Sequence, residues 1–98
     1  MNVRISSVAL NDLENIFQYT LEHWSLQQAN HYYRLIIQEI ERMTLNFESG
    51  TELNHIKLGY RLFRVKSHFI IGRKSEDEFI EIIRILHRRM DLSHQLEI

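Results

Sequence analysis

Residues 79–91 read FIEIIRILHRRMD, the longest β-branched run in the chain, and the run ends in a basic, histidine-containing cluster. Successive side chains of a strand point to opposite faces. With that period, one face carries Phe79, Glu81, Ile83, Ile85 and His87, and the other carries Ile80, Ile82, Arg84, Leu86 and Arg88. Both faces are mostly apolar, so both need cover. In a chain of 98 residues, helices cover one face of a sheet. The second face is therefore expected to need more helix, a second copy of the chain or another protein.

Upstream of this strand, Lys74 to Glu78 (KSEDE) is a polar turn, and His68 to Arg73 (HFIIGR) reads as a further strand. From Tyr60 to Lys66 the pattern alternates again, with Tyr60, Leu62 and Arg64 on one side and Arg61, Phe63 and Val65 on the other. Three strands thus follow one another as a meander. Residues 50–59 (GTELNHIKLG) have no periodicity and are bracketed by glycines, which predicts a loop. Gly50 is expected to stop the preceding helix through its tolerance of positive φ.

That helix carries its apolar residues at Ala29, Tyr32, Tyr33, Ile36, Ile37, Ile40, Met43 and Phe47, one stripe at a spacing of three or four. Core packing is the stronger reading of Tyr32 and Tyr33, although paired tyrosines also resemble a platform for bases. Ser25 and Gln28 have the spacing of a capping box and open the helix. Before them lies another stripe, Leu10, Leu13, Ile16, Phe17, Leu21 and Trp24, with Asn11, Asp12, Glu14, Asn15, Gln18 and Glu22 toward water. Ser6 or Ser7 caps this first helix, and Val3 and Ile5 alternate with Arg4 and Ser6 as an opening strand. The order is strand, helix, helix, strand, strand, strand. It predicts a single α+β domain over residues 1–98, an antiparallel-type sheet packed by a helical hairpin.

A chain of this size hides about 60 to 70% of the surface its unfolded form exposes, enough for one core and too little for two domains. The chain has no cysteine, which excludes disulfides and thiolate metal sites and fits a reducing cytoplasm. Its start, MNVRISSVAL, lacks the apolar core of a signal peptide, and no stretch approaches a membrane span. A cytoplasmic protein without membrane contact is expected. The net charge of −1 conceals an uneven distribution. Residues 1–50 hold three Lys/Arg against six Asp/Glu, and residues 51–98 hold nine against seven. Arg61, Arg64, Lys66, Arg73 and Lys74 crowd onto one hairpin, where like charges repel unless something acidic compensates. Either a solvated strand face or a binding surface for an acidic partner fits them.

Six histidines raise the question of a metal, but His87, Asp91 and His94 have no second matched cluster to close a coordination sphere. No metal and no cofactor are expected. His23, His31 and His55 read as solvated, and His68 as core or rim. His87 stands apart at the end of the strand beside Arg88 and Arg89. It could serve as a general base toward a ribose hydroxyl, with Arg61 or Arg64 stabilising the charge that develops on phosphorus. The favoured reading is a histidine that bonds a backbone group and holds the exit turn.

Taken together, the residues resemble a known family. The opening strand before ALNDLENI (9–16), Tyr19-Thr20, the Trp24-Ser25 break followed by Ala29 and Tyr33, Gly59-Tyr60-Arg61, and RILHRRMD (84–91) are similar to the ParE branch of the ParE/RelE toxin superfamily. The resemblance spans nearly the whole chain and is strongest in its last part. It implies the toxin of a bacterial type II toxin–antitoxin system that traps DNA gyrase on cleaved DNA. A cognate antitoxin with a partly disordered segment would silence it, and DNA would be met only indirectly, through the antitoxin or gyrase. Residues expected to contact the target are Arg61, Arg64, Arg84, His87, Arg88 and Arg89, within a segment from Arg84 to Ile98 and the neighbouring basic strands. A homodimer is one way to hide the open sheet face in the free state.

The alternative is the RelE branch, ribosome-dependent messenger RNA endoribonucleases, for which Arg61 and His87 would be the catalytic pair. RelE-like enzymes use a C-terminal Tyr or His-Tyr. Here His87 is followed by Arg88, and no Tyr or Phe lies after Phe79. The incomplete set favours a toxin that is not an enzyme.

Overall fold

Ser6 decides where the first helix starts. Its hydroxyl accepts from the Ala9 amide at 2.9 Å and donates to the Ile83 carbonyl at 2.9 Å. One side chain therefore caps a helix and ties it to the sheet. The computed structural model describes residues 2–96. Strand β1 (Val3–Ile5) leads through Ser6 into helix α1 (Ser7–His23). Helix α2 (Leu26–Leu45) follows after a break at Trp24 and Ser25, and the Ser25 hydroxyl accepts from the Gln28 amide at 3.0 Å. A 3₁₀ turn (Phe47–Ser49) and a short strand β2 (Thr51–Glu52) come next, then β3 (Tyr60–Val65), β4 (His68–Lys74), β5 (Ile80–His87) and a short helix α3 (Leu92–Leu96).

The five strands form one sheet in the order β1-β5-β4-β3-β2. β5, β4, β3 and β2 are joined by antiparallel pairs, and β1 lies parallel to β5. The expected α+β architecture is present, with a helical hairpin on a sheet, and the β1 pairing makes that sheet mixed. β2 occupies part of the segment expected to be a loop. Gly50 does end the helical region, but its φ is −69°, so positive φ is not the reason. A Cβ there would fall 2.4 Å from the Phe63 ring, so the residue is glycine for lack of space.

Strict alternation fails in the middle of β5. Ile71 pairs with Arg84 while Gly72 pairs with Ile82, so Ile83 is the extra residue of a β-bulge. The bulge shifts the phase. Ile80, Ile82 and Ile85 all join the core beneath the helices, with Ala9, Leu13, Ile36, Ile40, Met43, Phe63 and Ile70. Ile83 and Leu86 belong to the opposite face. The bulge also brings β5 against α1, where Asp12 accepts from the Ile85 amide at 3.0 Å.

The α1 stripe departs from the expectation at both ends. Ala9 and Leu13 are buried, but Leu10 is exposed and Trp24 is 74% exposed. Leu10 sits about 100° around the helix from Ala9, off the buried line. On α2, Tyr32 is half-buried, whereas Tyr33 is exposed and meets Phe17 edge-on at 6.3 Å.

The second face of the sheet is not left for another molecule. Leu53, Tyr60, Ile71, Leu86 and Leu96 form a second buried cluster, flanked by half-buried Ile56, Leu62, Phe69, Ile83 and Leu92. The segment after β2 and helix α3 supply the roof, with Leu96 only 3% exposed. This corrects the expectation of an open greasy face. The reason for expecting a homodimer there falls with it. No helix among the described residues is long and apolar enough to cross a membrane.

Candidate functional site: the β5 exit and its cleft

β5 ends in a turn held by its last histidine. His87 Nδ1 accepts from the Arg89 amide at 3.1 Å, the His87 carbonyl accepts from Met90 N–H at 2.9 Å, and Arg88 N–H reaches the Ser67 carbonyl at 2.8 Å. The favoured reading of His87, a residue that holds the exit turn, is the geometry found. With the backbone so fixed, the Arg88, Arg89 and Met90 side chains stand exposed on a rigid corner.

His87 lies directly across the sheet from His68, and the two rings meet at 5.2 Å, 81° apart. His68 Nδ1 in turn lies 2.6 Å from the Tyr32 hydroxyl, which is 3.1 Å from the Val65 carbonyl. A hydroxyl has one proton, so Tyr32 donates it to the Val65 carbonyl or to His68 Nδ1, and in either arrangement the hydroxyl holds the His68 ring in place. Burial, with a smaller contribution from His87, pulls the His68 pKa down to about 4.

The sign of the consequence is fixed. Between pH 6.5 and 4 the folded protein binds fewer protons at His68 than the unfolded chain does, so stability is full above pH 6.5 and falls as pH drops toward 4. The whole shift is worth about 3 kcal/mol for a buried ring; with the ring part-exposed and solvent-screened, on the order of 1–2 kcal/mol is expected. Urea melts at pH 7 and pH 4 on wild type and His68→Asn read this directly. The variant should lose that share of the acid sensitivity, and equal slopes would contradict the assignment.

Between the hairpin junction and this corner lies a cleft of about 950 Å³. Its rim holds Tyr19 and Trp24 from the end of α1, Lys66 from the β3–β4 turn, and Arg89 and Met90 from the exit; His68 and His87 line its interior. Tyr19 stacks on His23 with ring centres 4.0 Å apart and 19° between planes. Lys66 sits at φ 52°, a left-handed position at the tip of the tight turn. Gln28 lines the cleft beside the cap it forms.

The other residues expected to contact a target are engaged within the chain. Arg84 Nε and Nη2 bind both Asp12 oxygens, at 2.8 and 3.0 Å, and its Nη1 reaches Gln95 at 3.3 Å. Arg61 Nη1 donates to the carbonyls of Gly50 at 2.8 Å and Glu48 at 3.2 Å, bracing the 3₁₀ turn. Arg64 lies over the Phe69 ring at 5.9 Å, on the face away from the hairpin. Arg61 pairs with Gly72, whereas His87 pairs with His68, four residues away along β4, about 13 Å at strand rise and two strands across. The structure therefore separates the two proposed catalytic partners rather than bringing them together.

The basic hairpin is compensated from within. Arg73 pairs with Glu81 at 2.6 Å, Lys74 lies 3.8 Å from Glu48 and 3.7 Å from Glu78, and Arg4 pairs with Asp77. Among the described residues, Arg64, Lys66, Arg88 and Arg89 form no ion pair. Of the expected contact segment, residues 92–96 pack on the sheet as α3, and Glu97 and Ile98 lie outside the described residues. Sequence patterning missed Asp12, assigned to a solvated face, and Tyr19 and Trp24 as rim aromatics. No three His, Asp or Glu side chains converge in a metal-ligating group among the described residues.

A helical hairpin spanning a five-stranded sheet of this order defines a RelE/ParE-like α+β fold. A chain of the chromosomal ParDE TA system from P. aeruginosa has the same fold, with a TM-score of 0.76 at 17% identity over 89% of this chain and 95% of that one. Residues 3–92 match the family described as ParE toxin of type II toxin-antitoxin system, parDE. The chain belongs to that family. It is 33% identical over 92 residues to Toxin ParE1 of Mycobacterium tuberculosis (strain ATCC 25618 / H37Rv), covering 94% of both chains. It is 32% identical over 88 residues to Toxin ParE1 of Caulobacter vibrioides, covering 90% of both. Toxin ParE of Escherichia coli is similar at 26% over 92 residues, covering 94% of this chain and 89% of that one.

Proposed function

We propose that this chain inhibits DNA gyrase by stabilising the complex of gyrase with cleaved DNA, and that a cognate antitoxin neutralises it in the bacterial cytoplasm. The observation that carries the reading is the family match over residues 3–92. The site supports a stoichiometric inhibitor. His87 Nδ1 is taken by a backbone amide, and Arg61 braces the far end of the sheet. Arg88, Arg89 and Met90 remain as a rigid, exposed, cationic corner, the best-formed surface for a large macromolecular target.

The antitoxin is inferred to cover exposed apolar residues outside the sheet, such as Val8, Leu10 and Leu26 on the hairpin, since the sheet faces have their own cover. Expression in a bacterium tests the proposal. Growth should stop with a DNA-damage response while translated messages stay intact, and co-expression of the small frame adjacent to the gene should restore growth. Cuts in codon register that vanish in His87→Ala would replace gyrase with the ribosome as the target. Undisturbed growth would mean a chain that only binds its antitoxin.

A further inference from the structure

We infer that the cleft beside the β5 exit binds a nucleotide, its base on the Trp24 and Tyr19 rim and its phosphate between Lys66 and Arg89. This stands independently of the gyrase reading, and it departs from the expectation that the chain meets DNA only through a protein. The exposure of the rim aromatics is the first sign. An indole left 74% exposed at Trp24 and Tyr19 left 60% exposed on the same rim gain nothing from burial in the monomer. Tyr19 is already stacked on His23, so it offers its outer face as a preformed platform. Stacking of a base on such a face is worth about 1–3 kcal/mol and tolerates any base.

The charge around the cleft has the matching sign. Among the described residues its one acid, Asp12, is neutralised by Arg84, and Lys66 and Arg89 form no ion pair. The volume of about 950 Å³ is at the upper end of small-ligand sites. An acidic peptide shares the charge but not the backbone chemistry. Extended peptides dock by adding a strand to a free sheet edge. Here the edge beyond β1 is closed, because Asp12 takes the Ile85 amide and Ser6 N–H takes the Ile82 carbonyl. A flat anionic ligand that needs stacking and a cation, but no strand edge, fits what remains.

Trp24 is the only tryptophan of the chain, so its fluorescence reports on the cleft itself. The purified protein is titrated at low salt with thymidine monophosphate, with a six-residue oligothymidylate and with a poly-glutamate peptide of equal charge. Saturable quenching by the nucleotide or the oligonucleotide is expected. Tighter binding of the oligonucleotide assigns the site to single strands, and equal binding assigns it to free nucleotides. Lys66→Asn keeps a residue suited to left-handed φ while removing the charge. Combined with Arg89→Ala it should lower the salt slope for the oligonucleotide by about 0.7, because the one phosphate held between them is then no longer neutralised. Trp24→Ala, followed through a labelled oligonucleotide, should weaken binding roughly 5- to 150-fold. Circular dichroism melts confirm that the variants fold. No quenching by either nucleotide ligand, quenching indifferent to the double variant, or equal quenching by poly-glutamate would overturn the assignment.

Discussion

Replacing Asp12 with alanine is expected to destabilise the protein by about 3 kcal/mol, although a helix wheel places this residue among solvated positions. The Asp12 side chain is 12% exposed and that of its partner Arg84 22%. The carboxylate makes a two-point contact with the guanidinium and accepts the Ile85 amide as well. Without it, a part-buried charge and a strand-edge donor lose their partners together, and each unsatisfied group carries its own penalty. The test is a double-mutant cycle by urea denaturation. Asp12→Ala with Arg84→Met should recover part of the loss, since the stranded charge is then gone. A loss under about 0.5 kcal/mol for Asp12→Ala would mean that the pair is solvated and ordinary.

Gly50→Ala should cost nearly as much, about 3 kcal/mol, at the upper end of what overpacking costs. With φ at −69° the backbone accepts alanine without strain, so the whole effect comes from the added methyl group. That group would sit 2.4, 2.7 and 2.9 Å from three atoms of the Phe63 ring. Phe63 is buried and leans on Phe47 with ring centres 5.6 Å apart, so the ring has nowhere to retreat. Gly72→Ala is the control. Its methyl group would meet the flexible end of Met43 at 2.8 Å and the Glu81 carbonyl oxygen at 3.3 Å, less crowding than three atoms of a buried ring impose, and about 1–2 kcal/mol is expected. A smaller effect at position 50 than at position 72 would show that Phe63 repacks freely.

Much of the fold is legible in local pattern. The hairpin follows from the Ser25 cap and the α2 stripe, and the β3–β4–β5 meander follows from alternation broken by polar turns. What escapes such reading is long-range. Nothing near Val3 announces a parallel partner at Ile80, because strand pairing across 77 positions leaves no local trace. The bulge at Ile83 leaves no mark in a stretch that plain alternation also fits, yet it decides that Ile82 and Ile85 share a face.

The site is legible in part for the same reason. His87 and its exit turn are local and therefore readable, and Arg88 and Arg89 stand exposed as expected. The engagement of Arg84 with Asp12 and of Arg73 with Glu81 depends on register, which the sequence does not display. The second face looks bare in sequence because Leu53, Leu92 and Leu96 are too few to form a stripe and find their place only on a finished sheet.

The most direct measurement is a titration of the purified chain into DNA gyrase acting on a relaxed plasmid, with wild type beside Arg88→Ala/Arg89→Ala. Supercoiling should fall as linear DNA accumulates after denaturation of the trapped complex, and the double variant should need at least about tenfold more protein, as expected when two exposed charges are removed from an interface corner. Supercoiling that proceeds unchanged, with no linear product at saturating protein, would contradict a gyrase target for this toxin.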